Sequence, residues 1–195
     1  LTIYHFDSLN MFYRLKSASV NGLDCQPVEI EVDINKGQTA FNIVGLPDTS
    51  IKEARERIHS ALKNSNFIYP FNFRVLINLA PADTPKEGPA YDLPMAVGII
   101  ATSQELSFFL EDALVTGELA LDGSVRHING ILPMAIFAKN NHIKRLFIPA
   151  ADAPEAAMVD GVEIYPVNNL EEIILHLTNK KLITPYLPSS ENPHN

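Results

Sequence analysis

The sequence predicts an α/β (α+β) domain: a mixed sheet covered by helices. Three observations carry this reading. Val28, Ile30, Val32 and Ile34 alternate with Glu29, Glu31 and Asp33, the period of a strand with one wet face. Between Asp48 and Asn66, the residues Ile51, Ala54, Ile58, Ala61 and Leu62 form a helical stripe. The second half of the chain alternates helix-like and strand-like segments, as an α/β sheet does.

The elements follow in order. "FYRLKSASV" reads as a first strand, and Asn21-Gly22 as a turn into the alternating strand. "NKGQ" turns the chain into "AFNIVGLP", so the opening is expected to be an antiparallel meander. In the helix over 48–66, Ser50 and Glu53 have capping-box spacing, and Glu53 and Arg57 are placed to pair. "RVLINLAP" is a strongly apolar strand ended by Pro81. Asp92 is expected to cap a second helix that is apolar nearly all round and therefore buried. "ALVTGELALDGSVRHI" reads as a hairpin about Asp122-Gly123. A third helix is expected from Pro133 to Asn140, then the strand "KRLFIP", a small helix in "APEAAMV", the strand "VEIYPV", and a last helix capped by Asn168 or Asn169.

The composition sets limits. The chain has 195 residues, 46% of them hydrophobic and 19% charged, which is enough for a folded core without disulfides. The lone Cys25 favours a reducing, cytoplasmic setting and reads as a plain small residue at a strand edge. A net charge of −8 argues against binding nucleic acid by overall phosphate neutralisation, so any such contact is local or comes through a partner. "FIYPF" and "VGIIA" are too short to span a membrane. The six histidines include no pair at i, i+4, which predicts no zinc site. No G-x-x-x-x-G-K-[ST] loop and no G-x-S-x-G elbow occurs. Residues 1–10 are expected to be an upstream extension or cloning remnant, residues 11–179 the domain, and residues 180–195 a linker rich in Pro, Ser and Asn.

From Phe12 to Leu177 the motifs "SASVNGLD", "EVDI", "FNIVGLPD", "KEARERIHSALKNSNF", "NLAPAD", "KEGPAYDLPMAVGI", "TGELALDGSVRHINGILPMA" and "LFIPA" occur in order. Together they resemble the N-terminal domain of the ComM/YifB magnesium-chelatase-like AAA+ proteins. More distantly the chain resembles the proteolytic domain of Lon proteases and the C-terminal domain of RadA. The resemblance implies a ribosomal protein S5 domain 2-like fold. It also implies that an AAA+ ATPase module follows, that this module holds ATP and magnesium, and that the full-length protein forms a homo-oligomeric ring remodelling DNA by branch migration in natural transformation. This chain itself is expected to hold no cofactor.

Lon-type proteases work with a serine activated by a lysine, and a hydroxyl is a poor nucleophile without a base beside it. Laid on that pattern, Ala90 falls at the nucleophile position and Leu132 at the base position. The resemblance therefore implies a non-catalytic accessory domain, with Asp83, Lys86 and Glu118 around a vestigial cleft. Two other functions stay open: a Lon-like serine peptidase whose dyad has moved, and a DNA-binding module in its own right. Lys86 is either a relocated base or a surface lysine pairing with Glu87 or Asp83. Lys52, Arg55, Arg57 and Lys63 give the helix over 48–66 a positive face. That face reads as a contact for DNA or an acidic partner, or as a solvated surface with its own ion pairs.

Overall fold

The computed structural model describes residues 11–188; the expected extension at 1–10, and residues 189–195 of the expected linker, lie outside the described residues. Strand β1 (Met11–Asn21) pairs antiparallel with β2 (Asp24–Lys36), joined by the two-residue loop Gly22-Leu23. The period-two run of β2 buries Val28, Ile30, Val32 and Ile34, as the alternation predicts. Strand β3 (Ala40–Val44) leads into helix α1 (Thr49–Asn64), which returns the chain to β4 (Phe73–Ala80).

Here the expected meander fails. The sheet order is β1-β2-β4-β3, with β4 antiparallel to β2 and parallel to β3. A helical connection is long enough to bring the next strand back parallel, and β4 takes the place beside β2. Its burial alternates too, with Val75, Ile77 and Leu79 inward.

Helix α2 (Asp92–Ser103) follows a short 3₁₀ turn at Pro89–Tyr91, and every one of its residues is buried. It packs against β1 and β2, the core face of the first sheet. Beyond it, β5 (Ala113–Val115), β6 (Glu118–Leu119) and β7 (Val125–Arg126) replace the single expected hairpin. Only β6 and β7 pair across the Asp122-Gly123 turn; β5 joins a parallel sheet. All three residues of β5 are buried, which suits a parallel strand covered on both faces. Helix α3 (Ile131–Asn140), β8 (Arg145–Pro149), the one-turn α4 (Ala153–Ala156), β9 (Glu163–Val167) and α5 (Leu170–Leu177) complete the order, with sheet order β5-β8-β9.

Several caps differ from expectation. Helix α1 is capped by Asp48, whose Oδ1 accepts from the Ile51 backbone N–H at 2.8 Å, and not by Ser50. Asp92 is the first residue of α2 rather than its cap, because its carboxylate is turned towards Arg57 and Leu119. Arg57 consequently does not pair with Glu53. Asn169 caps α5 by accepting from Glu172 N–H at 2.9 Å. After α5 the expected linker begins docked: Ile183 is buried and the Tyr186 N–H donates to Ile164 O at 2.7 Å.

Gly45 closes β3 at φ +97°, and a Cβ there would stand 2.1 Å from the Leu79 backbone oxygen. Backbone cannot yield as a side-chain tip can. Gly45→Ala is expected to cost about 2–3 kcal/mol from the strained φ and this clash, read as a lower midpoint in urea unfolding. An unchanged midpoint would contradict the packing of β3 on β4.

Candidate functional site

Asp83, Lys86 and Ala90 lie on loop 81–91, which meets the start of α1. The backbone of Lys86 bridges Pro47. Its N–H donates to Leu46 O at 3.1 Å, and its carbonyl accepts from Asp48 N–H at 3.0 Å. Asp48 Oδ2 accepts from Gly88 N–H at 2.9 Å while Oδ1 caps the helix. One carboxylate thus clasps the helix and the loop together.

Lys86 is neither a surface lysine nor a partner of Glu87. It is fully buried, and its Nζ donates to the Pro81 carbonyl. Burial pushes its amine below the ordinary lysine range, against a weaker upward pull from Asp83. Asp83 itself is exposed and accepts from the Thr84 hydroxyl at 3.3 Å, rather than fixing the loop through backbone bonds.

Ala90 sits in the 3₁₀ turn. Its carbonyl accepts from Gly117 N–H at 2.8 Å and from the buried Thr116 hydroxyl at 3.1 Å. Its methyl packs on the second core cluster, which includes Ile131, Met134 and Ala135 of α3. Leu132 lies one residue along from Ile131, half-buried, with its N–H donating to Glu155 Oε1 at 3.1 Å. The side chain of Val20 fills the space beside Gly130, where an added Cβ would meet it at 2.9 Å.

Among the described residues no serine or threonine hydroxyl shares a hydrogen bond with a lysine amine. Ser17 Oγ is buried without a partner among them, and Ser19 is bonded to the buried Tyr91. The mouth of α2 does not fit a nucleotide phosphate either. Pro89 offers no N–H, and the Asp92 carboxylate already occupies the helix start with negative charge. Among the described residues no three His, Cys, Asp or Glu side chains are placed to hold a metal ion, and no helix is long and apolar enough to cross a membrane. Cys25 is half-buried, its thiol pushed up to about 11 by burial.

The positive face of α1 divides. Arg57 is turned inward: its guanidinium grips Asp92 at 2.6 and 3.0 Å and donates to Ser50 O at 2.9 Å. Asp92 is fully buried and also accepts from Leu119 N–H at 3.3 Å. Burial pushes its carboxyl up to about 6, although Arg57 pulls it down. Lys52, Arg55 and Lys63 are exposed; Arg55 reaches Glu56 at 3.7 Å and the Tyr69 hydroxyl. Glu118 pairs with Arg126 at 3.4 Å on β6 and β7.

Another pair escaped the sequence reading. His127 Nδ1 is bonded to the Oδ1 of the buried Asp152, whose Oδ2 accepts from Ile128 N–H at 3.1 Å. Twenty-five residues separate the pair, and no periodic signal links them. The hydrogen bond and charge of Asp152 raise the imidazole above its ordinary value.

The sequence family described as subunit ChlI of Mg-chelatase matches residues 30–152. The chain is 39% identical over 161 residues to competence protein ComM of Haemophilus influenzae and 36% identical over 160 residues to YifB of Escherichia coli. Each match covers 82% of this chain and 31% of the relative, so the chain spans about a third of the length of these curated relatives. It is also 26% identical over 183 residues to Lon protease 2 of Bacillus subtilis, covering 85% of this chain and 32% of that protein.

Two outcomes test the site's electrostatics. Arg57→Leu leaves a buried carboxylate unpaired and is expected to cost about 3–5 kcal/mol near neutral pH. Without the guanidinium the folded-state pKa of Asp92 rises further, so the folded variant gains stability from protonation. The deficit against wild type should therefore shrink as pH falls from 8 to 5 in urea titrations; a pH-independent deficit would refute the pairing. His127 has a raised folded-state pKa, so its contribution is fully present below the unfolded value of about 6.5 and fades as pH rises through the folded one. Wild type should exceed His127→Gln in unfolding midpoint at pH 5.5, and the gap should close by pH 8.5.

Proposed function

We propose, from the premise that this chain belongs to the ChlI/Mg-chelatase-like family with ComM and YifB, that it is the non-catalytic accessory domain of a ComM-like AAA+ ATPase. In this reading the domain supports assembly or substrate engagement while a separate module of the same polypeptide uses ATP and magnesium. The assembled protein is a cytoplasmic homo-oligomeric ring that remodels DNA, by branch migration in natural transformation. The name of the Haemophilus influenzae relative, a competence protein, agrees with that role.

The observation that carries the proposal is the state of the cleft. A methyl group stands at the nucleophile position, and the amine nearest in sequence, Lys86, is committed to a backbone carbonyl. A peptidase with a moved dyad needs a hydroxyl and a base in contact, and the hydroxyls around Ala90 are bonded to Ala90 O, Tyr91 and Asp83. Lys52, Arg55 and Lys63 are the exposed cations of the α1 face and the first candidates to touch DNA or an acidic partner, with Arg57 turned inward beside them.

Calorimetry of the 195-residue chain with Mg-ATP is expected to show no binding heat, and a serine-reactive phosphonate probe is expected to leave the chain unlabelled. Saturable nucleotide binding, or stoichiometric labelling, would overturn the accessory reading.

A further inference from the structure

An apolar groove lies away from the loop that carries Lys86 and Ala90. The stretch Phe67–Phe73 between α1 and β4 walls a cavity of about 500 Å³, and a second of about 230 Å³ adjoins it, sharing Tyr69, Pro70, Phe71 and Phe73. The groove is preformed: His59 of α1 packs on Tyr69 at 4.8 Å and Phe71 at 5.3 Å between ring centroids, and Thr39 Oγ1 donates to Phe71 O at 3.0 Å. Ile68 and Phe71 are nonetheless 63% and 59% exposed. Rigid apolar surface left open to water marks a contact site. Arg55 lines the smaller cavity together with its ion-pair partner Glu56, and Lys36, Phe73's cross-strand partner, brings a second cation to the groove end.

The opposite end of the same sheet carries the complement. The loop joining β1 and β2 presents Leu23, 90% exposed, followed by the exposed Asp24, and the tip Asn21–Gln26 holds no cation. It is an apolar knob with a negative flank. The 13 residues of β2 run from this tip to the groove end, roughly 40 Å at the usual strand rise. No chain can reach its own groove with its own tip.

We infer that the groove takes the β1–β2 tip of a second copy of this chain, Leu23 entering between Ile68 and Phe71 with Asp24 towards the cations. Knob and socket are different surfaces, so the contact is head-to-tail and propagates from copy to copy, closing into a ring if the rotation permits. This rests on the ring-forming reading above and supplies the contact that it leaves unspecified. One loop buries far less than the roughly 1,200 Å² of a stable interface, so the contact is weak between free domains and is strengthened when copies are held together.

Mixing decides the matter. In a Cys25→Ser background, Leu23→Cys is prepared on one chain and Ile68→Cys on another carrying a mass tag, and the two are oxidised together at high concentration. Both positions are exposed, so folding is not at risk. The mixed disulfide dimer is expected to exceed either homodimer by roughly tenfold, the ratio that about 1.4 kcal/mol of preference gives, and Phe71→Ala in the tagged chain should cut its yield. Products in the proportions of random collision, or a dominant homodimer, would overturn the contact. That result leaves the accessory reading standing, since calorimetry with nucleotide is indifferent to it.

Discussion

The carboxylate of Asp92 fixes the arrangement of this domain. It is fully buried at the first residue of α2, and its three donors come from Arg57 of α1 and Leu119 of β6. A buried charge is tolerable only where its partners are in place, so this group admits few alternative packings of the three elements. Helix α2 itself has no polar face. Its twelve residues are all buried, and sheet, α1 and α5 must close over it together. Once α1 is held by Arg57, its N-terminal cap at Asp48 lies where it can also take Gly88 N–H, and the loop that leads to α2 is tied back to α1. The loop geometry is thus a consequence of helix packing, not an independent device.

Local signals carried the elements and failed at their assembly. The alternation in β2 is readable because one face meets the core and the other water. The all-apolar α2 is readable because nothing on it seeks solvent. Nothing local says that β4 inserts beside β2, because strand order depends on which edge a returning strand reaches after α1. The cap was misplaced for a related reason. Ser50 and Glu53 have the right spacing, but Asp48 serves the helix start and the 81–91 loop at once, and only the helix is nearby in sequence.

The site was legible through motifs more than through physics. Composition alone would treat Arg57 as one more surface cation beside Lys52 and Arg55, since its partner lies 35 residues away. Lys86 defeats the rule that lysines stay wet: its neighbours in "PKEGP" are polar turn residues, yet the turn folds inward around it. The aromatic run from Phe67 to Phe73 is too short for a membrane and too irregular for a strand. Its role as a wall becomes visible only when His59 and Thr39 are seen to hold it.

The surroundings of positions 90 and 132 also bear on the proposed accessory role, because they do not suit a serine–lysine dyad. A lysine acting as a base must shed its proton near neutral pH, which calls for burial away from carboxylates. Position 132 is only half-buried, and its backbone nitrogen already lies 3.1 Å from a Glu155 carboxylate oxygen. An amine placed there would meet negative charge that holds it protonated. At position 90 the carbonyl already accepts from Gly117 and Thr116, and Val20 packs closely against Gly130. Serine at 90 and lysine at 132 would therefore add the two side chains without the desolvated setting, free of nearby carboxylates, that makes such a pair reactive.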